Sequence, residues 1–129
     1  MVTDSLLPRY ASIPSKRELM TEVSFIQNAE RKLTGFTCSG HAFYARKNKD
    51  VVCAGISVLT INTINSLENI AGADIDVKQD DGYLSVVIRS EPDVRTETLM
   101  RSAYLGLSGI SAEYGSKFCR VTIKEEILC

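Results

Sequence analysis

Met20-Thr21-Glu22-Val23-Ser24-Phe25-Ile26-Gln27 and Leu33-Thr34-Gly35-Phe36-Thr37-Cys38-Ser39 set the architecture of this chain. In the first segment Val23 and Phe25 point one way while Ser24 and Ile26 point the other. In the second, Phe36 and Cys38 share one side. A period of two marks a strand with one buried face. Asn28-Ala29-Glu30-Arg31 reads as the turn between them, so the two segments predict a hairpin. Gly40-His41 closes it, and a charged, aromatic connector over 42–49 follows.

Beyond the connector the period changes. Asp50 is suited to cap a helix, because its carboxylate accepts from the unpaired amides of a first turn. Val52, Ile56, Leu59, Thr63, Leu67 and Ile70 recur at three-to-four spacing and predict a helix over 51–70, with Gly72 as terminator. A short strand over 75–78, a turn at Asp80-Asp81-Gly82 and a strand over 83–89 come next. Pro92 suits the start of a second helix over 94–114, striped by Met100, Ala103, Leu107 and Ile110 and ended by Gly115. Gly106 and Gly109 inside it permit close helix contact. Residues 118–125 alternate again, with Cys119, Val121 and Ile123 on one face. The order β-β-α-β-β-α-β predicts an α+β fold, one antiparallel or mixed sheet with two helices packed on it. Residues 1–19 read as a flexible leader and 20–129 as a single domain. Met20 is a second candidate start.

Composition narrows the function. The 129 residues are 44% hydrophobic, with a formal net charge of -1 and four cysteines. No global positive field argues for nucleic acid, and Arg46, Lys47 and Lys49 form the one candidate basic patch. The reading finds neither a spanning apolar run nor a signal peptide, so the cytoplasm is the expected compartment and free thiols the expected cysteine state.

The chain has one histidine, which removes schemes that need several but leaves a Cys-His pair. A thiol needs little activation, and an adjacent imidazole and a helix N-terminus both favour the thiolate. His41 follows a glycine at a strand end. Cys53 falls in the first turn of the predicted helix, where unpaired amides favour an anion and can serve as an oxyanion hole. Ser57, one turn on, shares its face. Asp50 reads first as the helix cap, with an indirect role, and direct orientation of His41 stays open as the alternative. Read without the imidazole, Cys53 is a small buried hydrophobe.

With Ser39-Gly40-His41-Ala42 and Asp50-Val51-Val52-Cys53-Ala54-Gly55-Ile56-Ser57 in place, the chain resembles the bacterial ribosomal-processing cysteine protease family, Prp, over residues 21–127. That resemblance implies removal of the N-terminal extension from a large-subunit ribosomal protein, number twenty-seven of its series. It implies His41 as general base, Cys53 as nucleophile, Asp50 as an acidic neighbour, and Gly40 as the glycine before the base. It also implies a homodimer, with a mobile loop between histidine and cysteine covering each site. Family members commonly carry glycine in that loop, whereas Phe43-Tyr44-Ala45-Arg46-Lys47-Asn48-Lys49 has none. Gly40, Ser57, Arg46 and Lys47 are the candidate substrate-binding residues, and no cofactor is expected.

Two rival readings remain. Cys38, His41, Cys53 and Cys119 are four zinc-type ligands, although Cys119 keeps register with apolar Val121 and Ile123 and reads, like Cys38, as core. Cys129 reads as a frayed tail thiol. A non-catalytic ribosome-associated binding domain uses the same fold with Cys53 as packing. Tyr83, Tyr104, Tyr114 and Phe118 read as core or dimer packing, and Asn62, Asn65 and Asn69 as a polar or interface side of the first helix.

Overall fold

The computed structural model describes residues 20–40 and 47–126, with 47–50 described by backbone alone. The elements are β1 (Thr21–Gln27), β2 (Leu33–Ser39), α1 (Lys47–Asn69), β3 (Ile75–Asp80), β4 (Tyr83–Ile88), α2 (Val94–Tyr114) and β5 (Cys119–Glu125). This is the expected α+β order. The five strands form one sheet in the order β3-β4-β2-β1-β5. Only β1 and β5 pair in parallel, so the sheet is mixed.

The hairpin forms where the alternation placed it. Val23 pairs with Cys38 and Phe25 with Phe36, and the register shifts at Ile26/Gln27. Its turn is built by Asn28, whose side-chain oxygen accepts from the Glu30 amide at 2.9 Å and the Lys32 amide at 3.0 Å. An asparagine carbonyl that replaces a backbone acceptor in this way fixes a tight reversal.

One face of the sheet and the two helices enclose the core. Val23, Phe25, Phe36, Val86 and Ile88 meet Val52, Ile56 and Leu67 of α1 and Met100, Ala103 and Leu107 of α2. The Phe25 ring lies 5.5 Å from that of Phe36 and meets Tyr104 edge-on, also at 5.5 Å. Such pairs contribute about 0.5–1.5 kcal/mol each beyond the area they bury. The helices approach closely at glycines: a Cβ on Gly55 would lie 3.1 Å from Ile110, and one on Gly106 would lie 3.2 Å from Leu59. Gly109 makes no such approach.

The start of α2 is fixed by a reciprocal cap. The Asp93 carboxylate accepts from the amides of Arg95 and Thr96, while the Thr96 hydroxyl accepts from the Asp93 amide. Glu97 then reaches back to the hairpin, where one carboxylate oxygen accepts from the Leu33 amide at 2.9 Å.

The start of α1 differs from expectation. The helix begins at Lys47 rather than at 51, so Asp50 lies inside it and does not cap it, and Cys53 stands in the second turn. Ile70 also departs from the predicted stripe. It follows the last helical residue and is 65% exposed. Gly72, at φ 65, provides the reversal after α1, and the Ala73 amide returns to the Leu67 carbonyl. Val51–Asn69 is long and apolar enough to cross a membrane by length and composition, contrary to the sequence reading. In the fold it packs one face on the sheet and α2, with the buried hydroxyls of Thr60 and Thr63 bonded to its own carbonyls.

Candidate active site

The candidate site is a groove of about 680 Å³ between α1 and one end of the sheet. Strand directions explain its walls. β1 starts at this end, β2 finishes there, and the β3–β4 turn lies beside them. The sheet and its strand ends contribute Thr21, Cys38, Gly40, Gln79, Asp80, Tyr83 and Leu84, together with the turn residues Asp81 and Gly82. From α1, Cys53, Ser57, Thr60, Ile61 and Ile64 form the opposing wall. Their three-, four- and one-residue steps keep them on one helical stripe, adjacent to the fully buried stripe of Val52 and Ile56.

Cys53 and Ser57 therefore share the groove, as their spacing predicted, and Gly40 faces them across it. Gly40 adopts φ 76, and its amide donates to the Gly82 carbonyl at 2.9 Å. Only a glycine takes that left-handed conformation without strain. His41 and Arg46 lie outside the described residues. So do the leader 1–19 and Cys129. Lys47 and Asp50 are placed on α1 by their backbone, with no side-chain contact described.

The position of Cys53 changes the argument for its activation. Amides left unpaired at the start of α1 belong to its first turn, which ends before Cys53. The attraction of a helix end for an anion falls off within that turn. The oxyanion hole expected from amides beside Cys53 is displaced with them.

Cys38 is not the simple core residue expected. It is half-buried, packs against the core, and also lines the groove with Cys53. Burial pushes its thiol up to about 11, and negative charge at Cys119 and Cys53 adds to the rise. It is consequently a neutral thiol near pH 7. Cys119 is fully buried at the start of β5, beside Thr21 of β1, and matches the core assignment. Among the described residues, no group of three histidine, cysteine or carboxylate side chains is arranged to hold a metal ion.

Tyr83 is 42% exposed on the groove wall rather than packed in the core. Thr21, Thr60, Ile61, Ile64 and the β3–β4 turn are wall residues that the sequence reading did not identify. The turn itself was visible as Asp80-Asp81-Gly82. Its place beside β2 was not, because strand order is a long-range property.

A sequence model of the family described as cysteine protease Prp matches residues 20–118. The ribosomal processing cysteine protease Prp of Bacillus subtilis (strain 168) is 24% identical over 101 residues, covering 74% of this chain and 90% of its own. The protein of the same name from Staphylococcus aureus (strain Mu50) is 28% identical over 97 residues, with 74% and 92% covered. Among solved structures, SMU.848 from Streptococcus mutans has a TM-score of 0.75 at 24% identity, covering 87% of this chain and 100% of that one. The essential ribosomal processing protease Prp from S. aureus, in complex with a substrate peptide, has a TM-score of 0.74 at 23% identity, with 81% and 100% covered. Both structures share the fold.

Proposed function

Since the chain belongs to the cysteine protease Prp family, we propose that it is an endopeptidase that removes the N-terminal extension of a large-subunit ribosomal protein, number twenty-seven of its series. The observation that carries this reading is the placement of Cys53 on the groove-facing stripe of α1, opposite the end of β2 from which the chain continues to His41. The substrate peptide bound to the S. aureus protease supports a peptide as the occupant of such a groove.

In the proposed mechanism His41 takes the thiol proton of Cys53, and the thiolate attacks the scissile carbonyl to give a tetrahedral oxyanion. Collapse breaks the C–N bond, and His41 returns the proton to the leaving amine. Water, deprotonated by His41, then hydrolyses the thioester and restores the thiol. Asp50, which lies inside α1, has the role of orienting the imidazole. Gly40 and Ser57 hold the substrate near the sulfur, with Arg46 from the connector and Lys47 from the start of α1 as further contacts. Ile61, Ile64, Tyr83 and Leu84 give the groove an apolar lining suited to the apolar side chains of an extended peptide. Two copies act as a homodimer in the cytoplasm, with no cofactor and no direct contact to nucleic acid.

Mass spectrometry of the extended ribosomal protein before and after incubation tests this reading. A single new N-terminus at the end of the extension is expected, together with an acyl adduct on the peptide containing Cys53 at short times. Cleavage within the body of the substrate, or an adduct on another residue, overturns it.

A further inference from the structure

The groove contains a buried hydroxyl that the proposed mechanism does not use. Thr21, the first residue of β1, is 2% exposed and lines the same groove as Cys53. Its backbone amide donates to the Phe118 carbonyl at 3.0 Å, yet its side-chain Oγ1 has no hydrogen-bond partner among the described residues. Other buried threonine hydroxyls are all bonded. Thr60 donates to the Ser57 carbonyl at 3.2 Å, Thr63 to the Leu59 carbonyl at 2.6 Å, and Thr96 to the Asp93 carbonyl at 3.1 Å. A hydroxyl removed from water without a partner carries an uncompensated desolvation cost. Valine has nearly the same shape and would avoid that cost.

We propose that Thr21 is a specificity-determining residue whose hydroxyl hydrogen-bonds a neutral polar side chain, a hydroxyl or a carboxamide, of the bound peptide. This rests on the proteolytic reading above and adds the chemistry of one substrate position. A side chain is the matching group because Thr21 is buried on the same side of β1 as the core residues Val23 and Phe25. The wall around it favours a neutral group. Ile56 is buried, Ile64 is half-buried and apolar, and the Cys38 thiol keeps its proton. An ion placed there would lose its hydration, with no counterion beside it among the described residues. The groove's carboxylates, Asp80 at the end of β3 and Asp81 in the turn after it, are both exposed.

The test is a double-mutant cycle on a peptide spanning the extension. Each neutral polar residue of the peptide is replaced in turn by its apolar counterpart: threonine by valine, asparagine or glutamine by leucine, serine by alanine. Wild type and Thr21→Val are then compared by kcat/KM. At one position the wild type is expected to lose roughly tenfold, the scale of one hydrogen bond. Thr21→Val is expected to lose a similar factor on the unmodified peptide and nothing further on the replaced one. Thermal unfolding of Thr21→Val separates this role from a structural one, with a midpoint equal to or above wild type expected. Losses that multiply at every position, or a lowered midpoint, overturn the assignment while leaving the protease reading intact. No cleavage of any peptide by wild type overturns both.

Discussion

The amide of Gly40 donates to the carbonyl of Gly82 at 2.9 Å, joining the end of β2 to the β3–β4 turn across the base of the groove. Both residues adopt left-handed backbone, at φ 76 and φ 72. The contact holds the backbone at Gly40, the residue immediately before the proposed base. An alanine at either position forces a Cβ into a conformation that costs about 1–2 kcal/mol. Gly40→Ala and Gly82→Ala are therefore expected to lose similar stability in urea unfolding. Gly40→Ala is expected to lose more kcat/KM, because it redirects the residue that follows. Equal activity in the two variants would contradict the assigned role of this strand exit.

Two other glycines give effects of opposite sign. A Cβ on Gly35 would lie 2.5 Å from the carbonyl oxygen of Val86, so β2 and β4 cannot keep their spacing around it. Gly35→Ala is expected to destabilise the fold by about 1–3 kcal/mol, the range for forced overpacking. A Cβ on Gly109 meets nothing within 4 Å on α2. Gly109→Ala should stabilise by about 0.5–1 kcal/mol through helix propensity alone. Chemical denaturation of the two variants checks both signs.

The Cys38 thiol gives a pH signature. Burial, reinforced by Cys119 and Cys53, raises it from 9.0 to about 11. Between those values the unfolded chain has released this proton while the folded chain retains it. The unfolded state therefore binds fewer protons, and stability falls as pH rises from about 9 to about 11. Cys38→Ala should flatten that part of the stability profile. Site-resolved alkylation with iodoacetamide should show Cys38 reacting slowly until the pH approaches 11. A titration midpoint near 9.0 would mean the thiol is not held in this environment.

Much of the fold was legible because its signals are local. β1 and β2 followed from alternation, and α2 from an apolar stripe bounded by Pro92 and Gly115. The start of α1 was misplaced because Asp50 satisfies two rules at once. An aspartate is favourable both as a cap and within the first turn, where the same helix end attracts it. Lys47, Asn48 and Lys49 contain nothing that stops a helix, so the residue type could not separate the two positions. The pairing of Gly40, Cys53 and Ser57 in one groove was legible from spacing and from family resemblance. Thr21 was not, since an alternating strand gives no sign that one of its buried hydroxyls lacks a partner. The wall formed by the β3–β4 turn required the strand order, in which β4 lies beside β2.

The central claim is that Cys53 supplies the attacking sulfur, and it is tested most directly by incubating the extended ribosomal protein with wild type, Cys53→Ala and Cys38→Ala and following the loss of the extension by mass. Wild type and Cys38→Ala are expected to shorten the substrate, while Cys53→Ala binds it and leaves it whole. Shortening by Cys53→Ala at the wild-type rate would contradict the account.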